Sequence, residues 1–217
     1  MTLPAALFFD VDGVLVRGMH RNPALSQMWT ATLEADLGVD ASALIATLFK
    51  PDLWHEIVTG RRDLKDTLKD LLFFMNAPVT PEELVAYWYK KDSTLNAPLI
   101  KALRQLRKER PKLKLNIATT QEHGRAHYLW HDLGLSQTFD EMFYSAQLGA
   151  DKREDAFFLK VQEQTGLNPA ECLLIDDSPA VIETASRNGW QTFLADDYDQ
   201  PLKILRLMFP PPSKADG

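Results

Sequence analysis

The sequence predicts an α/β fold, a doubly wound parallel sheet with an inserted helical domain. Three observations predict it. Short apolar runs alternate with stretches of helical spacing. Several runs end in acidic or hydroxyl residues, at the edge where open parallel sheets hold their ligands. The first two runs lie roughly 100 residues apart, far more than a crossover connection needs. With 217 residues, 45% of them hydrophobic and 25% charged, the chain can bury such a core.

Residues 6–10, ALFFD, read as the first buried strand, running into Asp10-Val11-Asp12-Gly13. From there to about residue 97 the pattern is helical. Leu64, Leu68, Leu71 and Leu72 share one face of a helix over 62–72. Thr80-Pro81-Glu82-Glu83 starts another, with Thr80 as N-cap, Pro81 in the first turn and Glu83 closing a capping box. The aromatics Trp29, Trp54, Tyr87, Trp88 and Tyr89 read as a small core of this segment rather than a stacking platform. We expect residues 18–97 to form a helical cap inserted into a core of 1–17 and 98–208. The end, FPPPSKADG at 209–217, reads as a loose tail.

Past the insertion, a helix over 99–110 buries Leu99, Leu103 and Leu106 and turns Lys101, Arg104, Arg107 and Lys108 to solvent. The second strand, LKLNIAT at 113–119, ends in Thr119-Thr120. His123, His127 and His131 then recur every fourth residue. No carboxylate stands in a metalloprotease arrangement with them, so they read as a polar helix face. Gly149-Ala150-Asp151-Lys152 brings a lysine ahead of a helix at 155–165, with Asp155 as its cap, Phe158 and Val161 buried, and Gly166 as its stop. CLLID at 172–176 is a third strand and leads into Asp176-Asp177-Ser178. A helix from Pro179 to Asn188-Gly189 follows, and QTFLAD at 191–196 is the last strand.

A net charge of -6 argues against nucleic acid as a partner. No apolar stretch is long enough for a bilayer, and the N-terminus lacks the basic region of a signal sequence. Cys172 is the single cysteine and has no partner for an internal disulfide. A cytoplasmic protein acting on a small phosphorylated molecule is the expectation, with no nucleic-acid or membrane partner.

The acidic strand ends explain that expectation. Clustered carboxylates repel one another unless a hard cation such as Mg2+ sits among them. A phosphate ester is shielded by its own charge, so a carboxylate nucleophile needs that charge neutralised. Asp10, Asp12, Thr119, Lys152, Asp176 and Asp177 would supply the nucleophile, a proton donor, phosphate ligands and metal ligands at one sheet edge.

These residues resemble the haloacid dehalogenase superfamily over nearly the whole chain. FFDVDGV is similar to its first motif, IATTQ to its second, LGADK to its third and LLIDDSPAVIETA to its fourth. The resemblance implies that Asp10 is the nucleophile and Asp12 the acid/base, giving its backbone carbonyl to the metal. It implies that Thr119, Thr120 and Lys152 bind the phosphoryl group. Asp10, Asp12 and Asp177 would ligate Mg2+, with Asp176 supporting through water. WHEIVTGRRDLKDTLKDLL and the compact cap look most like sugar-phosphate phosphatases and the phosphatase domain of bifunctional epoxide hydrolases. The sequence departs from the family pattern at Thr120, where asparagine is common, at Arg153, where proline follows the lysine, and at Val181, where Asn or Asp is usual. Val181 removes a polar group near the metal. Arg61 and Arg62 of the cap, and Arg17 and His20 after the first motif, are candidate substrate contacts.

The expected activity is therefore a Mg2+-dependent phosphatase working through an aspartyl-phosphate. A phosphotransferase or mutase on a sugar phosphate and a non-catalytic phosphate-binding protein are the alternatives. A dehalogenase does not need Asp12, and a phospho-accepting receiver domain carries its acidic residues in another order.

Overall fold

A computed structural model describes residues 3–18, 20 and 23–210. Strand β1 (Ala6–Phe9) is followed by a turn and the short strand β2 (Val16–Arg17). A helical segment comes next: α1 (Leu33–Leu37), α2 (Ala41–Leu48), α3 (Pro51–Val58), α4 (Leu64–Phe74) and α5 (Pro81–Lys91). Strand β3 (Thr94–Leu95) returns antiparallel to β2, so two adjacent strands carry the chain out to the helical segment and back. Then come α6 (Ala97–Glu109), β4 (Lys114–Thr119), α7 (His123–His127), β5 (Glu141–Tyr144) and α8 (Ser145–Leu148). The remainder is α9 (Asp155–Thr165), β6 (Cys172–Asp176), α10 (Pro179–Arg187), β7 (Gln191–Leu194) and α11 (Gln200–Met208).

The main sheet is parallel throughout, in the order β5-β4-β1-β6-β7. Side chains alternate across a strand, so β1 feeds two cores. Leu7 and Phe9 join Leu115, Ile117, Leu173 and Ile175 under α6 and α11. Ala6 and Phe8 join Ala118, Leu174, Phe157 and Phe158 under α9 and α10. Burial on both faces accounts for the unbroken apolar runs that mark β1 and β6 in the sequence. A third cluster, built on Leu33, Leu44, Leu68, Leu84 and Trp88, belongs to the helical segment.

Several local expectations change in the structure. Strand β5 was not anticipated: it is four residues at the edge of the sheet, with Glu141 exposed, and its periodicity is too short to read. The N-cap of α9 is Glu154, not Asp155, whose carboxylate instead accepts from Arg187 and Asn188. The basic face of α6 is not simply solvated. Arg104 donates to the Thr138 hydroxyl, and Arg107 binds the Thr138 carbonyl and the Asp140 carboxylate, tying the helix to the loop before β5. Phe209, assigned to a loose tail, is buried beside Leu205 in the core, and residues 211–217 lie outside the described residues. The capping box of Thr80 and Glu83 forms with both of its hydrogen bonds. After His127 the helix widens into a π-turn over Tyr128–Asp132; the His127 and His131 rings lie tilted with centroids 4.5 Å apart, while His123 faces Tyr144.

Candidate active site

The carboxyl ends of β1, β4 and β6 meet at one edge of the sheet, and the residues read from the sequence arrive there on the turns that follow. Asp10, Asp176 and Asp177 are all buried, and a carboxylate oxygen from each lies within 4.8 Å of the others. No other group of three acidic, histidine or cysteine ligands is found among the described residues. Gly13 makes this approach possible. At φ +82° a side chain would be strained, and an added Cβ would stand 2.6 Å from Asp177 Oδ2.

Lys152 reaches into the same cluster from the turn before α9. Its Nζ lies 2.7 Å from Asp10 Oδ1 and 2.7 Å from Asp176 Oδ2, and donates to the Ala118 carbonyl at 3.1 Å. Asp10 Oδ1 also accepts from the Val11 amide at 2.7 Å, and Asp176 Oδ1 from the Ser178 amide at 2.8 Å. Burial raises the Asp10 pKa well above the ordinary carboxylate value. Lys152 opposes that rise, while Asp176 and Asp177 add to it. Burial also works against the charge of Lys152, but Asp10 and Asp176 outweigh it and hold the ammonium above its usual pKa. Three acids thus present hard oxygen donors within reach of one another. That fits a divalent cation.

The carboxylate of Asp12 lies outside this group of three. Its Oδ2 accepts from Gln121 Nε2 at 2.6 Å and its Oδ1 from Arg125 Nη2 at 2.9 Å. Thr119 is buried at the end of β4, 3.4 Å from Gln121 Nε2, and Thr120 lines the cavity next to it.

Gln121, Glu122, Arg125 and Asp92 are functional candidates that the sequence reading missed. Arg125 is buried and forms a bridge: besides Asp12 it donates to the Asp92 carbonyl at 2.7 Å and faces Asp92 Oδ2 at 3.4 Å. Glu122 caps α7, accepts from the amides of Gly124 and Arg125, and accepts from the Tyr89 hydroxyl of α5. The available signal was a run of polar residues just past the second strand, IATTQEHGR, which a buried sheet edge does not need for packing.

A cavity of about 400 Å³ opens above the acids, with Asp10, Asp12 and Lys152 on its floor and Trp29, Phe49, Trp54 and Trp88 on the side of the helical segment. Val181 is buried and forms part of its wall. His20 lines it too, with its ring 5.2 Å from that of Tyr198, while Arg17 lies over the same Tyr198 ring. Arg61 and Arg62 do not line it; Arg62 is exposed and paired with Glu56 at 2.9 Å. Gly60 presses the helical segment onto the core, where a Cβ would lie 2.8 Å from the Ala146 carbonyl.

A family model for haloacid dehalogenase-like hydrolases matches residues 4–189. No curated protein matches the chain. Among solved structures, a predicted HAD-like family hydrolase from Porphyromonas gingivalis superposes with a TM-score of 0.73 at 23% identity, covering 97% of this chain and 100% of its own. A HAD family enzyme from Bacteroides thetaiotaomicron, in complex with magnesium and inorganic phosphate, gives a TM-score of 0.68 at 19% identity over 87% of this chain and 92% of its own. A HAD-hydrolase from Bacillus subtilis bound to magnesium gives 0.61 at 19% identity, covering 90% of each chain. At these identities the likeness is one of fold.

Proposed function

The chain belongs to the haloacid dehalogenase-like hydrolases, and from that premise we propose that it is a Mg2+-dependent phosphatase of a small metabolite, working through an aspartyl-phosphate on Asp10. One observation carries this reading: buried carboxylates of Asp10, Asp176 and Asp177 converge within 4.8 Å of one another, beside Lys152, at the end of the sheet. Their charge suits a divalent cation together with a phosphoryl dianion, and suits an uncharged ligand poorly.

In this reading Asp10, Asp177 and the Asp12 backbone carbonyl would hold the ion, with Asp176 supporting it through water. When bound, Mg2+ withdraws charge from the phosphoryl oxygens. Lys152 and Val11 N–H fix Asp10 Oδ1, which leaves Oδ2 to attack phosphorus. The bond from phosphorus to the ester oxygen breaks, and Asp12 delivers a proton to that oxygen as it leaves. Thr119, Thr120 and Lys152 hold the remaining phosphoryl oxygens. Asp12 then takes a proton from water, whose oxygen attacks phosphorus and returns Asp10 and inorganic phosphate. Gln121 and Arg125 hold both oxygens of Asp12, which sets its direction before the substrate arrives. Residues 18–97 serve as the cap over this chemistry and residues 1–17 and 98–208 as its catalytic core.

Phosphate release with Mg2+, measured over a panel of phosphomonoesters, tests the reading. Asp10→Asn is nearly isosteric and should abolish release while circular dichroism stays that of the wild type. Equal turnover by wild type and variant would end the proposal. Following sugar-phosphate isomers in the same assay separates hydrolysis from phosphoryl transfer to a second sugar.

A further inference from the structure

We propose that the alcohol released by this phosphatase is an uncharged, flat ring system that docks on an aromatic wall of the helical segment. The inference rests on the phosphatase reading of the same cavity and narrows it to a substrate class.

The wall consists of four rings gathered around Trp88. Trp29 and Trp88 stack, with centroids 4.7 Å apart and planes 13° from parallel. Phe49 packs against Trp54 at 4.6 Å and edge-on against Trp88 at 5.8 Å, and Trp54 stands 6.1 Å from Trp88. All four rings line the cavity that holds Asp10 and Asp12. The sequence reading treated these aromatics as cap core only. They do belong to that core, but Phe49 and Trp54 are only half-buried and keep surface on the cavity.

The charges around the cavity argue against a second anionic group on the substrate. Among the described residues, each lysine and arginine of the lining already faces a carboxylate: Lys152 faces Asp10 and Asp176, Arg125 faces Asp12 and Asp92, and Arg153 faces Asp151. Arg61 and Arg62 lie outside the lining. A bisphosphate or a phosphorylated acid that laid its distal charge on this wall would bring it against apolar rings.

The wall also offers little to a polyhydroxylated chain. The Trp88 indole N–H is already given to Asp92 Oδ2 at 3.2 Å, and Glu122 is occupied by Tyr89 and the start of α7. Hydroxyls laid on the ring faces would lose water and find no partner on those faces. A flat apolar or heteroaromatic face loses little on leaving water and gains stacking contact. A cavity of about 400 Å³ lies in the range of small-molecule sites and accepts one or two fused rings beside the phosphoryl group.

The test uses the full-length protein with Mg2+ and three esters of primary alcohols, so that the leaving groups are of similar reactivity: benzyl phosphate, a hexose 6-phosphate and a hexose bisphosphate. We expect kcat/KM for benzyl phosphate to exceed that for the hexose 6-phosphate about ten-fold, with the bisphosphate poorest. Trp54→Ala should narrow the benzyl preference about five-fold. Trp54→Leu, which keeps an apolar side chain and removes only the ring, should narrow it in the same direction. In Asp10→Asn, quenching of tryptophan fluorescence by benzyl phosphate at lower concentration than by hexose 6-phosphate gives a reading independent of turnover. Phosphate released from all three esters without preference for the ring, or equal loss for all esters in the Trp54 variants, overturns this inference alone. No phosphate from any ester overturns the phosphatase reading and this inference with it.

Discussion

Asp92, at the end of α5, has its carboxylate buried between Trp88 Nε1, which donates to Oδ2, and Arg125, which faces the same oxygen. Its Oδ1 has no hydrogen-bond partner and packs against Gly18, where an added Cβ would stand 2.3 Å away. Burial pushes the Asp92 pKa up to about 7; Arg125 pulls it down, Asp12 pushes it up, and burial prevails. A proton on the partnerless side of this carboxyl fits that direction. The consequence for stability has a definite sign. A carboxyl whose pKa is higher in the folded chain adds stability that is complete below its unfolded pKa of about 4 and is lost as pH rises through about 7. Urea unfolding between pH 4 and pH 8 should therefore show Asp92 costing stability on the order of 3 kcal/mol across that window. Asp92→Asn, which cannot ionise, should remove that part of the slope; an unchanged slope would mean that Arg125 keeps Asp92 ionised throughout.

Helix α5 shows how one element ties the helical segment to the candidate site. Its N-terminus is closed by Thr80 Oγ1, which accepts from the Glu83 amide at 3.2 Å, while Glu83 accepts from the Thr80 amide at 2.8 Å. Its C-terminal turn carries Trp88, Tyr89 and Asp92 to the junction of the helical segment with the sheet, where Tyr89 binds Glu122 and the Asp92 carbonyl accepts from Arg125. Arg125 in turn holds Asp12, so the end of α5 is connected to the acid/base candidate through two contacts. Losing an N-cap side chain costs about 1 kcal/mol. Thr80→Ala should lower unfolding stability by roughly that amount in a denaturant titration and leave phosphate release unaffected, because the cap bond lies at the far end of α5 from the site. A larger loss, or a fall in turnover, would show that the N-terminus of α5 sets the position of its C-terminus.

At the scale of the whole molecule the acidic centre is a cost that folding alone does not repay. Three carboxylates are buried at one point, and a ligand that binds only the folded chain stabilises it by mass action. At Mg2+ concentrations about 100-fold above its dissociation constant the gain is about 2.7 kcal/mol. For a chain of this size that is a rise in melting temperature of about 5–10 °C over the protein in EDTA. Asp177→Asn should lose most of the rise. Coincident melting curves with Mg2+ and with EDTA would remove the ion from this centre.

What could be read in advance divides along a physical line. Strands β1, β4 and β6 announce themselves because both faces are buried, which leaves continuous apolar runs ending at Asp10, Thr119 and Asp176. Local chemistry was equally legible in the capping box of Thr80 and Glu83 and in the helix stop at Gly166. Strands β2, β3 and β5 are two to four residues long, too short for a period to show. By itself, then, the sequence determined the doubly wound core, the inserted helical segment and the acidic, hydroxyl and lysine residues at the strand ends, because burial pattern and strand-end position are local properties. Only the tertiary structure decided that Asp176 joins Asp10 and Asp177 while the Asp12 side chain turns to Gln121 and Arg125. It alone decided that Trp29, Phe49, Trp54 and Trp88 face the cavity. Those outcomes depend on the direction of side chains from elements distant in the chain, and spacing along one element carries no information about what stands across from it.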